Sequence, residues 1–510
     1  MNLDLHFLLP EIVVVATALA CVTVDILVAP ARRNRFVAFT AALGLGAALL
    51  VVLLDRRTGA AVGGHFTVDA FSLFARTIAV AGGLLLVAVA APYTARMDRG
   101  HGEFYALLLL ALTGVMLTAG VSDLMSLFVA LELITISSYA LAAFKRHDPR
   151  STEAGLKYLV VGAVSSAFLL FGIALVYGAV GAVDFHSIVA HVSGKGPGAL
   201  LSLGTVLVFM GLFFKASAVP MQVWAPDVYQ GAPSPVTGFL SSLSKSAGFV
   251  LLLRIVTTLV VPLGSPVGGA AGGVGAPTGP WGAFLGIVAG LTLLYGNLGA
   301  MAQKDVKRLL AYSSIGHAGY LMMGITAVVA SGTPALRQEG AGSVLFYLFA
   351  YYVTTITAFA VVAAVSAQAR GHQASVTYAG LSRRSPLLAF AMLLALLSLA
   401  GVPPLAGLIG KFLVFFALVD AAKAHPGLVA LASVGALSVV LSLYFYLLLI
   451  REMYAKDPVP EGPGVPALRV SLGHKLAVAF GICAMIGLGI FWGPLHEAAQ
   501  HAAAALFAAR

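Results

Sequence analysis

The sequence predicts an all-α polytopic membrane protein with about 14 transmembrane helices, and three observations lead to this fold class. Hydrophobic residues make up 60% of the chain and charged residues only 10%, against roughly 25% charged in ordinary globular domains. The apolar residues form successive runs of about 20, the length with which an α-helix crosses the hydrocarbon core. Most Lys and Arg residues lie in the short segments between these runs. This pattern is incompatible with a soluble globular protein.

The apolar runs define fourteen predicted spans. In chain order they cover 6–28, 36–54, 70–92, 103–121, 123–144, 155–181, 200–229, 234–261, 281–302, 309–331, 342–367, 386–420, 427–453 and 474–495. Spans 7 and 12 are too long for simple helices, and each contains proline, which lacks a backbone donor and clashes with the preceding turn. We therefore expect helix 7 to break near Pro220 and helix 12 near Pro403–Pro404. Such breaks are tolerated at membrane depth only beside protein or a wet cavity.

The charge of the loops predicts the orientation of the chain. Loops that follow odd-numbered spans hold 18 Lys and Arg residues, and loops that follow even-numbered spans hold 5. Because positively charged loops remain in the cytoplasm, we expect both termini on the external, periplasmic side. The net charge of +10 belongs to this loop pattern and not to a basic soluble face, which argues against a nucleic-acid partner. The Gly-rich stretch 265–280 is predicted to be a flexible external loop.

Ionisable residues interrupt the apolar runs at several positions. They are Glu132, Lys157, Lys215, Lys245 and Lys411, together with His317 in the motif SSIGHAGY. An ionisable group near the bilayer centre costs at least roughly 2.5 to 3.5 kcal/mol, so several in one chain indicate a protected polar interior. The simplest use of such an interior is to move a cation, above all a proton.

Most of these residues also have a structural interpretation. Glu132 lies deep in its span, and the alternative to a relay role is that it forms a structural ion pair. Lys215 and Lys411 lie near the expected helix breaks, where each could neutralise exposed carbonyls. Lys245 is as deep as Glu132 and, like Lys215 and Lys411, could neutralise exposed carbonyls. His317 could be a hydrogen-bonded packing residue, although its small and hydroxyl-bearing neighbours leave room for water and favour a relay.

Lys157 is a weaker candidate than the other residues, and two arginines in the spans are not included in the relay. Lys157 falls in the first turns of its span, four residues after Glu153, which is the spacing of an ordinary pair on a helix surface. It could therefore extend to the membrane interface instead of acting in the interior. Arg76 and Arg254 are interpreted as anchors or as partners in interhelical pairs.

The sequence predicts no cofactor in this chain. Its only cysteines are Cys21 and Cys483, which excludes an iron–sulfur cluster held by four thiolates of the chain. It also contains neither a strand-linked GxGxxG nor a GxxxxGK[ST] phosphate-binding motif. The energy for moving a charge must therefore come from other subunits.

A weak internal symmetry divides the chain. Glu132 lies two helices before the broken helix with Lys215, and His317 lies two helices before the broken helix with Lys411. Each unit has five spans, so the second must be inverted relative to the first, a recurring plan in transporters. The predicted segments are an N-terminal three-helix segment (1–102), a first five-helix repeat (103–262), a second, inverted repeat (281–455) and a C-terminal helix and tail (456–510).

Four motifs carry a family resemblance: LLPEI at the N-terminus and the runs at 213–249, 304–324 and 398–412. With them the chain resembles subunit N of bacterial proton-pumping NADH:quinone oxidoreductase, respiratory complex I, within an antiporter-like family that includes Mrp-type cation/proton antiporter subunits. The resemblance implies a 14-helix fold with two inverted five-helix bundles and a row of charged residues halfway across the membrane. It implies that Glu132 pairs with Lys215, and that Lys245, His317 and Lys411 continue the row.

The resemblance also implies a setting and a mechanism. The location would be the bacterial inner membrane, the partners would be other membrane-arm subunits, including antiporter-like ones, and NADH, FMN, iron–sulfur clusters and quinone would belong to partner subunits. When Glu132 is drawn away or neutralised, Lys215 would pass its proton to Lys245 and onward through His317 to Lys411. The alternatives are a subunit of a Mrp-type antiporter or membrane-bound hydrogenase, or a membrane scaffold that does not pump.

Overall fold

Nearly all of the structure is helical. The computed structural model describes residues 4–196, 198–263, 280–367, 374–457, 468 and 470–508. The predicted loop at 265–280 lies outside these residues except for Pro280. The first long helices are α1 (Leu9–Leu27), α2 (Arg33–Leu54), α3 (Ala70–Thr94), α4 (His101–Thr118), α5 (Leu124–Ala142) and α6 (Pro149–Val180). Between α2 and α3, strands β1 (Gly59–Ala61) and β2 (Phe66–Val68) form a small antiparallel hairpin.

The middle of the chain contains shorter helices and the first break. They are α7 (Phe185–Lys195), α8 (Gly198–Ala216), α9 (Ala225–Gly231), α10 (Ser234–Phe239), α11 (Lys245–Ile255) and α12 (Val261–Leu263). Two π-helical segments, Leu240–Ser244 and Val256–Val260, flank α11 and make 234–260 one continuous span. Neither α7 nor the β hairpin was predicted.

The second half begins with two tightly packed helices. Its helices are α13 (Pro280–Met301), α14 (Val306–Ala330), α15 (Pro334–Ser366), α16 (Leu381–Arg384), α17 (Pro386–Ala400), α18 (Ala406–Ala422), α19 (Leu428–Ala455), α20 (Leu472–Ile490) and α21 (Gly493–Ala508). A Cβ atom on Gly296 of α13 would lie 2.2 Å from the backbone nitrogen of Gly316 on α14. Only glycine allows this approach of the two backbones.

Both predicted helix breaks are confirmed. Helix α8 ends before Ser217, which has a φ of 54°, and α17 ends before Gly401, which has a φ of 89°. These left-handed residues stand three positions before Pro220 and Pro404, respectively, and a left-handed residue commonly closes a helix C-terminus. After each break the chain re-enters a helix, α9 in the first case and α18 in the second.

The span count agrees with the prediction once the second break is considered. Within the described residues, thirteen helical segments are long and apolar enough to cross a membrane. Predicted span 12 corresponds to the two shorter helices α17 and α18. The protein is therefore a multi-pass membrane protein. Helix α14 lies at the centre of the bundle, and its whole apolar window is enclosed by the rest of the chain.

Candidate functional site

Four buried ionisable side chains come from four different helical segments. Lys215 is in the last turn of α8, Lys245 begins α11, His317 is in the middle of α14, and Lys411 is in the second turn of α18. Each is at most 3% exposed. Their burial agrees with the polar interior that the sequence predicted.

Lys215 lies beside the first helix break and contacts aromatic residues. Its Nζ donates a hydrogen bond to the Tyr158 hydroxyl at 3.2 Å and lies 5.5 Å from the ring centres of Tyr158 and Phe214. The next residue but one, Ser217, has left-handed backbone geometry. Such geometry in a residue other than glycine is rare and tends to occur at functional sites.

The direct ion pair expected between Glu132 and Lys215 is not formed in this structure. Glu132 is half-buried on α5 and instead accepts a hydrogen bond of 2.5 Å from Ser166 Oγ on α6. In this structure α6 supplies polar partners to both groups, Ser166 for the carboxylate and Tyr158 for the ammonium group. The switchable pairing of Glu132 with Lys215 stays a prediction.

Lys245 is held by α14. Its Nζ donates to the Ser314 carbonyl at 2.8 Å and also contacts the Ser314 hydroxyl. The π-helical segment Leu240–Ser244 ends directly before Lys245, and such segments often mark functional sites. The contact joins the first half of the chain to the central helix of the second half.

His317 has a hydroxyl group at each ring nitrogen. Its Nδ1 lies 2.5 Å from the Tyr347 hydroxyl and its Nε2 lies 3.2 Å from the Tyr446 hydroxyl. Tyr446 in turn contacts the Ser313 hydroxyl. Hydroxyl groups can donate or accept, so this arrangement accommodates more than one protonation state of the imidazole.

Lys411 binds the end of the preceding half-helix. Its Nζ donates to the carbonyls of Leu399 at 2.8 Å and Ala400 at 3.1 Å, and it lies 4.7 Å from the ring centre of Tyr320. The structural alternative for this lysine, neutralisation of carbonyls at a helix break, is thus realised. All three contacts are with neutral groups, so this role is compatible with proton transfer by the same lysine.

Lys157 is placed apart from the buried residues. Its side chain is 43% exposed and forms ion pairs with Glu153 at 2.7 Å and Asp227 at 2.6 Å. Asp227, on α9, also pairs with Arg308 on α14. These contacts fasten α9 to two long helices, which favours the interfacial interpretation of Lys157.

Two buried arginines form interhelical ion pairs, one of the two roles that the sequence suggested for them. Arg76 pairs with Glu11 at 2.7 Å, and Arg254 pairs with Asp69 at 2.8 Å. Both arginines are no more than 5% exposed. Neither pair includes Lys215, Lys245, His317 or Lys411.

Sequence reasoning missed the tyrosines of the interior. Tyr158 binds Lys215, Tyr347 and Tyr446 bind His317, and the buried hydroxyls of Tyr229 and Tyr351 have no hydrogen-bond partner. A buried unpaired hydroxyl is costly unless water reaches it. Tyrosine is common in membrane helices, so nothing in the sequence distinguished these five. In the described part of the chain, no three His, Cys, Asp or Glu side chains converge as metal ligands would.

Comparisons with known proteins place this chain in a family. Residues 121–439 match the transmembrane family described as NADH:quinone oxidoreductase/Mrp antiporter. The NADH-quinone oxidoreductase subunit N of Moorella thermoacetica is 38% identical over 99% of both chains. The chain belongs to the NADH-quinone oxidoreductase subunit N family. A second subunit N, from Desulfitobacterium hafniense, is 37% identical over 99% of both chains.

Solved structures agree with membership of the subunit N family. A chain of respiratory complex I from Thermus thermophilus with bound aureothin is 31% identical, with a TM-score of 0.77 over 96% of this chain and 99% of that one. A chain of the Mrp complex from Dietzia has a TM-score of 0.79 at 23% identity, over 98% of each chain. The Mrp likeness shows a shared fold. Membership of the subunit N family rests on the sequence identity to the subunit N relatives.

Proposed function

We propose that this subunit relays protons across the membrane along Glu132, Lys215, Lys245, His317 and Lys411, with no bond making of its own. The observation that carries the proposal is the chemistry around the buried nitrogens. In the described ranges, none of the four basic groups has a carboxylate within 4.0 Å, and their partners are hydroxyls and carbonyls. A fixed buried cation gains from a carboxylate partner, whereas a group that alternates between charged and neutral is better served by neutral partners.

The helix contacts suggest the order of the relay. Tyr158 and Ser166 of α6 lie with Lys215 and Glu132, respectively, so water and hydroxyls can connect the two groups. Lys245 reaches Ser314 on α14, the helix that also carries His317. Lys411 is the end of the row. Each step moves a proton from one nitrogen or oxygen to the next, and no other covalent bond forms or breaks.

The energy for transfer is proposed to come from partner subunits. Moving one charge against 100 mV requires about 2.3 kcal/mol. We propose that this chain holds no redox cofactor and that NADH, FMN, iron–sulfur clusters and quinone act in other subunits. The chain would lie in the bacterial inner membrane beside other antiporter-like subunits, with both termini outside. The two similarly built helix breaks support the proposed division into inverted repeats at 103–262 and 281–455.

The substitution Lys215→Arg tests the relay. Arginine keeps the positive charge and the hydrogen-bond donors, but its ordinary pKa is at least about two units above that of lysine, so the neutral form is at least about a hundredfold rarer. We expect the variant to assemble and to lose NADH-driven proton uptake in membrane vesicles.

Two companion variants complete this test. Lys245→Ala interrupts the next step and should also abolish pumping, whereas Lys157→Ala should be milder because Lys157 is exposed. Assembly is measured on native gels. Wild-type pumping by an assembled Lys215→Arg variant would make Lys215 a structural cation and overturn the relay. Such a result would favour the scaffold interpretation.

A further inference from the structure

A large polar cavity opens among the helix ends that carry the Lys- and Arg-rich loops. Its volume is about 1170 Å³, and its lining comes from the loops after α1, α3, α5, α9 and α13 and from the adjoining ends of α15 and α20. Charged groups of both signs face it, including Arg96, Lys145, Asp148 and Asp305. A cavity of this size with a polar lining is suited to water. It reaches inward as far as Lys307.

Lys307 is buried where the cavity meets the helix bundle. It is the second residue of α14, is 4% exposed, and donates hydrogen bonds to the carbonyls of Gln230 at 3.1 Å and Ala232 at 2.5 Å. Among the described residues, its Nζ has no carboxylate within 4.0 Å. The next residue, Arg308, differs in being paired with Asp227. Lys307 therefore resembles the lysines of the buried row in its environment.

The position of Lys307 on α14 leads to Lys245. Ser314 lies seven residues later, two turns and about 10.5 Å deeper on the same helix face, and Ser314 holds Lys245. Tyr229, adjacent to the Gln230 carbonyl that Lys307 binds, has a buried hydroxyl without a hydrogen-bond partner. A water molecule at this hydroxyl would shorten the gap between the two lysines.

We propose that Lys307 is the first proton carrier reached from the cavity. It accepts a proton from cavity water and releases it toward Lys245 through water near Tyr229 and Ser314. Its positive charge at the floor of the cavity also opposes the entry of metal cations, which makes the entry selective for protons. This inference rests on the proposed relay, because it names the entrance to the same row of groups.

Cysteine chemistry in the assembled complex tests this role. Lys307→Cys is made in a chain with Cys21→Ala and Cys483→Ala. 2-Bromoethylamine converts the thiol into an amine side chain of lysine length, and a trimethylammonium-ethyl methanethiosulfonate attaches a permanent positive charge that cannot release a proton. We expect unmodified Lys307→Cys to lose proton uptake by about tenfold or more, the amine to restore it, and the permanent charge to leave it low.

The exposed residue Lys304 provides the matched control. Lys304→Cys should react with the trimethylammonium reagent, which does not cross membranes, in vesicles whose outer face carries the opening of the cavity. This variant should pump normally before and after the reaction. Lys307→Cys should react in the same vesicles. Absence of labelling at position 307, or rescue by the permanent charge, overturns the proposal.

A second variant covers the case in which Lys307→Cys fails to assemble. Lys307→Arg keeps the charge and the donors for the two carbonyls but scarcely releases a proton. Proton uptake at the wild-type rate by Lys307→Arg overturns the proposal, and a loss of about tenfold or more supports it. If Lys215→Arg is inactive while both Lys307 variants pump normally, the relay stands and only its entrance lies elsewhere.

Discussion

The buried pair of Arg254 and Asp69 gives the sharpest stability prediction. The guanidinium donates to both carboxylate oxygens of Asp69, at 2.8 and 3.2 Å, and its Nε donates to the Ala119 carbonyl at 3.2 Å. The group also lies 4.9 Å from the ring centre of Phe71. Arg254→Met preserves much of the side-chain length and removes the charge. The pair joins α11 to the N-cap residue of α3, so we expect this substitution to loosen the N-terminal segment from the first repeat.

The expected loss of stability depends on how well Asp69 is still accommodated after Arg254 is replaced. Removing one partner of a buried ion pair typically costs about 3 to 5 kcal/mol. Asp69 keeps a hydrogen bond of 2.8 Å from the Ser72 amide, and its side chain is 16% exposed. We therefore expect the lower end, about 3 kcal/mol, which is roughly a hundredfold in an equilibrium constant. Adding Asp69→Asn should recover part of the loss, because asparagine still caps α3 and leaves no unpaired charge.

The assay is native-gel analysis of the complex after graded heating. We expect the midpoint for Arg254→Met to fall by roughly 3 °C, with the double variant between it and the wild type. Arg57→Ala is the matched control, since Arg57 pairs with Asp55 on the surface and is 66% exposed, and it should change nothing measurable. If Arg254→Met has the wild-type midpoint, the pair contributes no stability and the reasoning fails.

Three further predictions concern the fold, the orientation and the cofactor content. Gly407→Ala would place a Cβ atom 1.8 Å from the Ser398 carbonyl oxygen, so native gels should show loss of assembly, while Gly427→Ala, with no atom within 4 Å of the added carbon, should assemble normally. Reporter fusions placed after Arg35 and Lys195 should report opposite sides of the membrane, and a shared side would refute the topology. The purified chain should show no flavin, haem or iron–sulfur absorbance, and a spectrum that survives removal of all partner subunits would contradict this.

The sequence predicted the spans well because the length of an apolar run reflects the thickness of the membrane. It predicted helix ends less well, because a helix can continue beyond the hydrocarbon. Helix α6 starts at Pro149 and not near residue 155. At this start the Asp148 side chain accepts a hydrogen bond from the Arg150 amide at 3.1 Å. Helix α15 similarly begins after Thr333, whose hydroxyl accepts the Leu336 amide. These caps, rather than hydropathy, determine where the helices begin.

The ionisable residues of the candidate site could also be found from sequence, because lysine within an apolar run is costly and therefore conspicuous. The groups that contact these ionisable residues could not be found from the sequence. Whether Glu132 reaches Lys215 depends on the rotation of α6, which brings Tyr158 against the ammonium group. Lys307 escaped notice because it stands at the start of its helix, where a lysine ordinarily faces water, and only the folded bundle shows that it is buried.

The enclosure of α14 has a consequence for how the protein enters the membrane. Its segment has the lowest mean hydropathy of the thirteen membrane-crossing segments in the described residues, and its entire apolar window is covered by other helices. A segment of this kind gains little from lipid alone and depends on its neighbours for stability. The close approach of Gly296 on α13 to Gly316 on α14 supplies the nearest neighbour. We therefore expect α14 to insert together with α13 as a helical hairpin, and to be retained only when later helices close around it.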